Sequence, residues 1–294
     1  MIVVTGGTGR VGQQVVAQLR ERNLKVRVVS RRPGQPQAGV ETAAGVETAA
    51  GVETAAGVET MAADLADPAS LEPALRDADA LFLLWPFTSA ELTATLAPQV
   101  AKLAARHVTR IVYLSAQPAA ERPGSFWALT ERAIEDSGAA WTFLRPVGFA
   151  SNTLMWADQI RAGDVVRWPF GAAARSLIDE RDIAGVAAQA LTQDGHAGSR
   201  YLLSGPAVLT QAEQLAAIGR ALGRDLTWEE LPRAQAQQAL AAAWGDPGFA
   251  ASALDTWERF VTHPEVVTST VRDLTGVPAH TFADWAAANA AAFR

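Results

Sequence analysis

The first twelve residues constrain the fold of this chain more than any other stretch. A short apolar run over residues 2–5 leads into TGGTGRVG (residues 5–12), and a segment with apolar residues at helical spacing follows. Gly6, Gly9 and Gly12 lie three residues apart. Between a strand and a helix, such glycines allow a sharp turn, a close backbone approach to a pyrophosphate and close helix packing. The stretch predicts a dinucleotide-binding fold, the alternative being a glycine-rich turn without a ligand.

Short apolar runs alternate with helical patterns along the first half of the chain. The strands predicted from these runs cover residues 2–5, 26–30, 58–63, 80–84, 111–115 and 141–145. Continuous apolar strands between helices are typical of a parallel sheet that is covered on both faces. The predicted fold class is therefore α/β, a doubly wound parallel sheet of the Rossmann type, with the NAD(P)-binding domain in residues 1–150.

The pattern changes after Pro146. Aromatic residues become frequent and the helical segments become rich in alanine. Two further strands are predicted near residues 165–168 and 200–203. Residues 151–294 are therefore predicted to form a smaller substrate-side α/β region that partly returns to the Rossmann sheet.

A hexapeptide repeat interrupts the first domain. AGVETA occurs three times and begins a fourth copy within residues 38–60. An even period keeps Val and Thr on one face of an extended chain, whereas a helix would scatter Val around its axis. Only the last copy leads into MAADLADP, which is typical of a strand and its exit. The earlier copies are interpreted as a surface insertion without a role, the alternative being a binding arm.

Composition excludes several classes of protein. The formal net charge is −6, which argues against a nucleic-acid partner. The chain has no Cys, and its four His lie far apart, so neither disulfides nor a metal site is expected. No apolar run reaches the ~20 residues of a membrane span, and a strand follows Met1 directly, so no signal peptide is expected. A cytoplasmic protein is predicted, and homo-oligomer formation stays open.

The ends of the second and third strands predict how the nucleotide is selected. The second strand ends in Ser30, followed by Arg31 and Arg32, where an NAD site usually has an acidic residue. Two arginines would bind a 2′-phosphate, so NADP(H) is favoured over NAD(H), the alternative being a solvated loop. Asp64 and Leu65 follow the third strand and are predicted to contact the adenine, because Asp67-Pro68 is the better helix cap.

The combination of motifs resembles the NmrA-like group of atypical short-chain dehydrogenases/reductases. The residues that carry the resemblance are TGGTGRVG (5–12), SRRP (30–33), ADLAD (63–67), LSA (114–116), TE and SG within 130–138, TFLRPVGF (142–149) with Asn152, and DERDIAGVAAQAL (179–191). The resemblance covers nearly the whole chain except the repeat. It implies either an NADPH-dependent quinone or dye reductase or a non-catalytic redox sensor.

The cofactor contacts predicted from these motifs form one set. They are Gly6, Thr8, Gly9, Arg10, Val11, Gly12, Ser30, Arg31, Arg32, Asp64, Leu65, Leu84, Trp85, Pro86 and Pro146.

The chain lacks the proton donor that the superfamily resemblance implies. Classical members use Ser followed by Tyr-xxx-Lys, but Tyr113 and Tyr201 have Gln117 and Gly205 four residues on. Ser115 stays at the place of the superfamily serine. Where relatives often have His four residues before Glu, this chain has Trp127 and Glu131. Ser115 and Glu131 are weak catalytic candidates, and Glu131 is alternatively an exposed helix charge; Arg145 is assigned a structural role.

Aromatic residues near the strand ends predict an apolar substrate pocket. Its predicted residues are Phe87, Gln117, Trp127, Phe149, Asn152, Trp156 and Trp168, each aromatic being alternatively a core residue. Hydride transfer to a quinone, dye, imine or enone needs no strong acid, because the product is a weak base or is neutral. The sequence thus predicts NADPH-dependent reduction of a small aromatic or conjugated substrate. The alternative is an NAD(P)(H)-binding redox sensor that regulates a protein partner.

Overall fold

The computed structural model describes residues 1–31 and 58–294. Arg32 and the repeat copies up to residue 57 lie outside the described residues. Contacts divide the chain into two compact units. Unit 1 consists of Met1–Pro146, Glu180–Leu203 and Asp273–Gly276, and unit 2 consists of Val147–Asp179, Ser204–Arg272 and Val277–Arg294.

The strands of both units follow in chain order. They are β1 (Ile2–Thr5), β2 (Val26–Ser30), β3 (Val58–Ala62), β4 (Ala80–Leu83), β5 (Arg110–Leu114), β6 (Ala140–Pro146), β7 (Val165–Trp168), β8 (Ala174–Arg175), β9 (Ser199–Leu203), β10 (Leu209–Thr210) and β11 (Thr227–Glu230).

The helices are bounded as follows. They are α1 (Arg10–Glu21), α2 (Glu72–Leu75), α3 (Ala90–Ala104), α4 (Phe126–Glu135), α5 (Ala157–Ala162), α6 (Glu180–Thr192), α7 (Gln211–Leu222), α8 (Arg233–Trp244), α9 (Pro247–Thr262), α10 (Thr270–Thr275) and α11 (Phe282–Ala288), with 3₁₀ turns at Pro68–Leu71, Gln117–Ala119, Ala150–Trp156 and Ala290–Phe293. No helix within the described ranges has the length and apolar character needed to cross a membrane.

Unit 1 is built on a parallel sheet. Among residues 1–31 and 58–294 its seven strands have the order β3-β2-β1-β4-β5-β6-β9. Every residue of β1 and β4 is buried, as expected for strands with helices on both faces. The doubly wound Rossmann class predicted from the sequence is confirmed, and the predicted strand ends differ from the observed ones by at most one residue, as at Ala140–Pro146.

The two sheet faces of unit 1 are covered by different helices. Leu81 and Tyr113 belong to one core cluster with residues of α3 and α4. The neighbouring residues of each strand point to the opposite face, where α6 packs against β4, β5 and β6. Helix α1 buries Val15 and Leu19, and Gln18 Nε2 donates to the carbonyl oxygen of Arg181 at 2.8 Å, which ties α1 to α6.

Unit 2 contains two small sheets and most of the C-terminal helices. The predicted strand at Val165–Trp168 pairs in parallel with β11, while the predicted strand at 200–203 is β9 and joins β6 in unit 1. Strands β8 and β10 form an antiparallel pair that the sequence did not predict. Strand β11 was not predicted either. Strands β8 and β10 have two residues each and β11 has the polar sequence TWEE, so none of them gives a clear alternating pattern.

Candidate functional site

The turn between β1 and α1 has no space for side chains at its glycines. Gly6 adopts a left-handed conformation with φ of 65°. A Cβ built on Gly12 would lie 2.1 Å from the carbonyl oxygen of Gly6, and a Cβ on Gly7 would lie 2.7 Å from the side chain of Val28. Helix α1 therefore packs directly against the turn, which is the role predicted for Gly12.

The N-terminus of α1 has the character of an anion site. Its N-cap residue is Gly9, which provides no side-chain cap, and the first turn contains no acidic residue. The Gly9 N–H donates to the Gly6 carbonyl at 2.9 Å, and Gln13 Nε2 donates to the Thr8 carbonyl at 3.0 Å, so the turn is fixed from both sides. The positive end of a helix dipole without a competing carboxylate favours a bound phosphate.

A threonine joins the ends of β1 and β4 beside this turn. Thr5 Oγ1 accepts a hydrogen bond from the Leu84 N–H at 2.8 Å. The side chain of Leu84 lies over Gly6, at 3.2 Å from the position of a Cβ there. Of the neighbouring predicted cofactor contacts, Pro86 is exposed and Pro146 is buried at the end of β6. The geometry places Gly6, Leu84 and the N-terminus of α1 along one edge of the sheet.

The Trp85 ring occupies the core of unit 1. Trp85 is 7% exposed, and its Nε1 donates to Thr93 Oγ1 on α3 at 3.0 Å. The Phe87 ring meets it edge-on, with centroids 5.1 Å apart. The buried indole is thus held by packing and by its own hydrogen bond, and a cofactor contact of Trp85 stays a prediction.

The two nucleotide-selecting strand ends are only partly described. Arg31 is exposed directly after Ser30. Asp64 Oδ1 accepts a hydrogen bond from the Ala66 N–H at 2.9 Å, and Leu65 is buried. Asp67 occupies the N-cap position before Pro68, but its side chain makes no capping hydrogen bond. One Asp64 oxygen is thus used in a local turn, and the ligand contact proposed for this carboxylate stays a prediction.

Unit 1 contains a buried ion pair, and a serine hydroxyl donates to its carboxylate. Glu131 lies on α4, which begins after the N-cap residue Ser125, and its side chain is 5% exposed. Arg145 of β6 donates from Nε to Glu131 Oε1 at 2.9 Å and from Nη2 to Oε2 at 2.5 Å. Ser115 Oγ donates to Glu131 Oε1 at 2.5 Å. The alternative of an exposed Glu131 charge is wrong, because the carboxylate is enclosed and has both a cationic and a hydroxyl partner.

The bidentate contact changes the electrostatics of its members. The hydrogen bond to Glu131 raises the pKa of Arg145 above its usual value.

Tyr113 lies on β5 near this contact. Burial raises the pKa of its hydroxyl well above the usual value for tyrosine. Tyr113 is therefore a neutral phenol and is no base at physiological pH.

The remaining unit 1 candidates lie near this ion pair in the chain. Trp127 is half-buried one turn before Glu131, and its ring contacts that of Phe126 with centroids 4.0 Å apart. Gln117 begins the 3₁₀ turn that follows Ser115 and is half-buried.

The other aromatic candidates belong to unit 2. The Trp156 ring is 2% exposed and meets Trp228 edge-on, with centroids 5.5 Å apart. Trp168 is half-buried and packs against Trp257. Phe149 and Asn152 stand at the start of the 3₁₀ turn Ala150–Trp156 and are half-buried. Trp156, which the sequence assigns to the substrate pocket, is buried in a core cluster of unit 2. Substrate contacts of the four residues stay predictions.

The sequence did not predict the partners of two polar side chains. Arg145 was assigned a structural role, and the structure pairs it with Glu131, which also accepts the hydroxyl hydrogen of Ser115. Its place at the end of a buried strand was a usable signal, since a charge there needs a partner. Thr5 was absent from the predictions, although a polar residue at a strand end beside Gly6 is typical of a loop anchor. Among residues 1–31 and 58–294 no three His, Asp or Glu side chains are grouped as metal ligands.

The chain resembles known proteins over its full length. A model described as the NmrA-like family matches residues 1–247. The chain is 39% identical to a (4-alkanoyl-5-oxo-2,5-dihydrofuran-3-yl)methyl phosphate reductase of Streptomyces griseus, with 100% of this chain and 99% of the relative covered. It is 35% identical to an NAD(P)H azoreductase of Xenophilus azovorans, with the same shares covered.

Solved structures share the fold. The NADPH complex of an Escherichia coli NADPH-dependent quinone oxidoreductase has a TM-score of 0.75 and 25% identity, with 98% of this chain and 99% of that chain covered. A Citrobacter triphenylmethane reductase complexed with NADP(H) has a TM-score of 0.77 and 20% identity, with 99% and 100% covered. The chain therefore belongs to the NmrA-like family and is an oxidoreductase.

Proposed function

We propose that this protein is an NADPH-dependent reductase that transfers a hydride to a planar, conjugated acceptor without a Tyr-Lys acid. The observation that carries the proposal is the turn at Gly6, Gly9 and Gly12, which leads into the uncapped N-terminus of α1. That arrangement suits a pyrophosphate. The similar E. coli and Citrobacter structures are complexes with NADPH and NADP(H).

The chemistry follows from what the chain does not contain. The sequence has no Tyr-xxx-Lys pair, and the one serine at the end of β5 already donates its hydroxyl hydrogen to Glu131. Reduction of a simple ketone produces a basic alkoxide and needs a proton donor in the transition state. A conjugated acceptor gives a weaker base or a neutral product, so water supplies any later proton. Residues that hold and orient the acceptor would then carry the catalysis.

The names of two relatives support this class of acceptor. The Streptomyces relative reduces a 5-oxo-2,5-dihydrofuran, whose ring double bond is conjugated with a carbonyl group. The Xenophilus relative reduces azo compounds, in which the reduced bond is also conjugated. If this chain acts on similar compounds, its acceptor is a flat, conjugated molecule that takes the hydride of the reduced nicotinamide.

The preference for NADPH rests on the exposed Arg31 at the end of β2. A guanidinium there would pair with the 2′-phosphate, which NADH lacks. The variant Arg31→Glu is expected to weaken NADPH binding by at least tenfold and to change NADH binding little, measured by titration of each dinucleotide. Equal effects on both would refute the preference.

The function is tested by following the absorbance of reduced nicotinamide with a quinone, a triarylmethyl dye, an azo compound and a cyclic imine. Oxidation of NADPH with at least one acceptor is expected. A protein that binds NADPH and turns over none of them would be the redox sensor instead. Gly12→Ala should abolish binding, because its Cβ would lie 2.1 Å from a carbonyl oxygen, whereas Gly124→Ala is the matched control with no atom within 4 Å of its Cβ.

A further inference from the structure

Strand β3 has nearly the same sequence as the repeat copies that precede it. β3 reads VETMA (Val58–Ala62), and VETAA occurs at residues 40–44, 46–50 and 52–56. These three earlier copies lie outside the described residues, and each differs from β3 only at the position of Met61. Four segments of the chain therefore carry almost the same strand sequence.

The contacts that β3 makes with β2 do not distinguish it from the other copies. Val58 is 5% exposed, and Glu59 Oε2 accepts a hydrogen bond from Arg27 Nε at 2.8 Å. The Arg27 guanidinium also donates to the carbonyl oxygens of Ala74 and Arg76, so β3 is not its only support. Every copy contains Val followed by Glu and could supply the same two side chains.

The period of the repeat removes the usual protection of a strand register. A slip of one residue exchanges the two faces of a strand and exposes its apolar side chains, which normally fixes the register. The copies repeat every six residues, an even number, so a slip by one copy keeps each side chain on its face. Within residues 1–31 and 58–294, β3 is an edge strand whose one strand neighbour is β2.

Two apolar residues distinguish the observed register. Met61, which pairs with Val29, packs against the core cluster of unit 1, and Leu65 is 8% exposed in the same cluster. A slip of six residues would put Ala55 in the place of Met61 and Glu59 in the place of Leu65. A carboxylate buried without a partner is much less favourable than a leucine. The observed register is thus the one that buries two apolar side chains and no charge.

We propose that Met61 and Leu65 determine the register of β3, and that a preceding copy given the same two residues would replace β3 beside β2. The register also affects the residues that follow the strand, because Asp64 and Leu65 are the predicted adenine contacts. A slipped strand would put residues of the repeat in their place. This consequence for nucleotide binding rests on the proposed function, whereas the register itself does not.

The register can be measured with disulfides, because the chain has no Cys of its own. Paired residues of neighbouring strands have Cα atoms about 5 Å apart, within the reach of a disulfide. Arg27→Cys with Glu59→Cys is the observed-register reporter, since these residues pair. Arg27→Cys with Glu47→Cys is the slip reporter, which responds to a slip of twelve residues. In the parent chain only the observed-register reporter should form its disulfide.

The test gives one earlier copy the two distinguishing residues. Ala49→Met with Glu53→Leu does this in the copy that starts at Ala44, and it leaves β3 unchanged. The slip reporter should then form about tenfold more disulfide than in the parent, because burial of Met and Leu side chains shifts an equilibrium by at least that factor. The yield of the observed-register reporter should fall accordingly.

The matched control adds the same side chains on the other face. Ala50→Met with Val52→Leu places both on the opposite side of an extended chain, so both disulfide yields should stay at their parent values. A slip-reporter yield in the test chain no higher than in this control would overturn the inference. A parent chain in which the observed-register reporter forms no disulfide would also overturn it.

A second comparison covers a test chain that does not fold. Ala49→Met alone is then compared with Ala50→Met alone, and a rise of about threefold is expected for the first, because one side chain is buried instead of two. Equal yields would contradict the inference. All disulfides are measured without NADPH or an acceptor, so a failure of the proposed function and a failure of this inference are seen separately.

Discussion

Two buried glutamates, one in each unit, bind an arginine and a serine, but they do so in different ways. In unit 1, Glu131 accepts two bonds from Arg145 and one from the Ser115 hydroxyl. In unit 2, Glu265 accepts from Arg175 Nη2 at 3.0 Å and from the backbone N–H of Ser176 at 3.1 Å.

The difference lies in which serine atom is used. The Ser176 hydroxyl does not bind Glu265 but donates to the Val266 carbonyl at 2.6 Å. Together with the bond from the Ser176 N–H to Glu265, it holds the backbone segments at Ser176 and Val266 together. Arg175 also lies over the Phe260 ring, at 5.2 Å from its centroid, rather than in a bidentate contact. The unit 2 cluster therefore ties two backbone segments together, whereas the unit 1 cluster accepts the hydroxyl hydrogen of Ser115 directly after β5. A buried ion pair alone does not distinguish these roles.

The largest effect on stability is expected at Glu265 in the unit 2 cluster. Glu265→Ala removes the partner of Arg175 and the acceptor for Ser176, so the free energy of unfolding should fall by about 3–5 kcal/mol. Urea unfolding measures the loss, with the rate of NADPH oxidation as a second readout that should stay at the wild-type value in any folded fraction. A loss below about 1 kcal/mol would show that the Glu265 contacts contribute little to the stability of unit 2.

A smaller effect is expected when residue 145 keeps its positive charge but loses the planar guanidinium group. Arg145→Lys cannot make two parallel bonds to Glu131, so the free energy of unfolding should fall by about 1–2 kcal/mol. Urea unfolding measures the loss. A variant as stable as the wild type would mean that the bidentate geometry contributes nothing to the stability of unit 1.

The two serines give the next comparison. Ser176→Ala removes one buried hydrogen bond to Val266 and should cost about 1 kcal/mol without changing turnover. Thermal unfolding and steady-state rates on the same preparation would measure both. A stably folded Ser176→Ala protein with an altered steady-state rate would contradict the assignment of the unit 2 cluster to structure.

The smallest effect is expected at a partly exposed ion pair between α4 and β9. Glu135 pairs with Arg200, and their side chains are 31% and 40% exposed. Solvent screens such a pair, so Glu135→Gln should change the free energy of unfolding by about 0–1 kcal/mol, less at high salt. A larger change would show that exposure on this helix does not predict the strength of its ion pairs.

The sequence predicted the sheet of unit 1 well, because its strands are continuous apolar runs between amphipathic helices. β1 and β2 were predicted to the residue, and the turn at Gly6 was predicted from the glycine spacing between an apolar run and a helical pattern. Steric demands of this kind act between neighbours in the chain, so they are visible in a short window.

The site was harder to predict where partners are distant in the sequence. Glu131 was interpreted alternatively as an exposed charge, and its partner Arg145 lies 14 residues further along the chain, so only the packing of α4 on β6 brings the two together. Trp85 was predicted to contact the cofactor and Trp156 to line the substrate pocket, yet both are buried in core clusters that no local pattern identifies. The short strands β8, β10 and β11 pair across large separations and carry no period of their own.

The discontinuous make-up of unit 1 has a consequence for how the chain is synthesised. Strand β9 supplies the neighbour of β6, and α6 covers the sheet face beside α1, but both follow the first segment of unit 2 in the chain. Until residue 203 has left the ribosome, β6 is an unpaired edge and one apolar face is uncovered, a condition that invites aggregation. We expect fragments that end at Pro146 to need a chaperone or to precipitate, so the nucleotide half cannot be prepared by simple truncation.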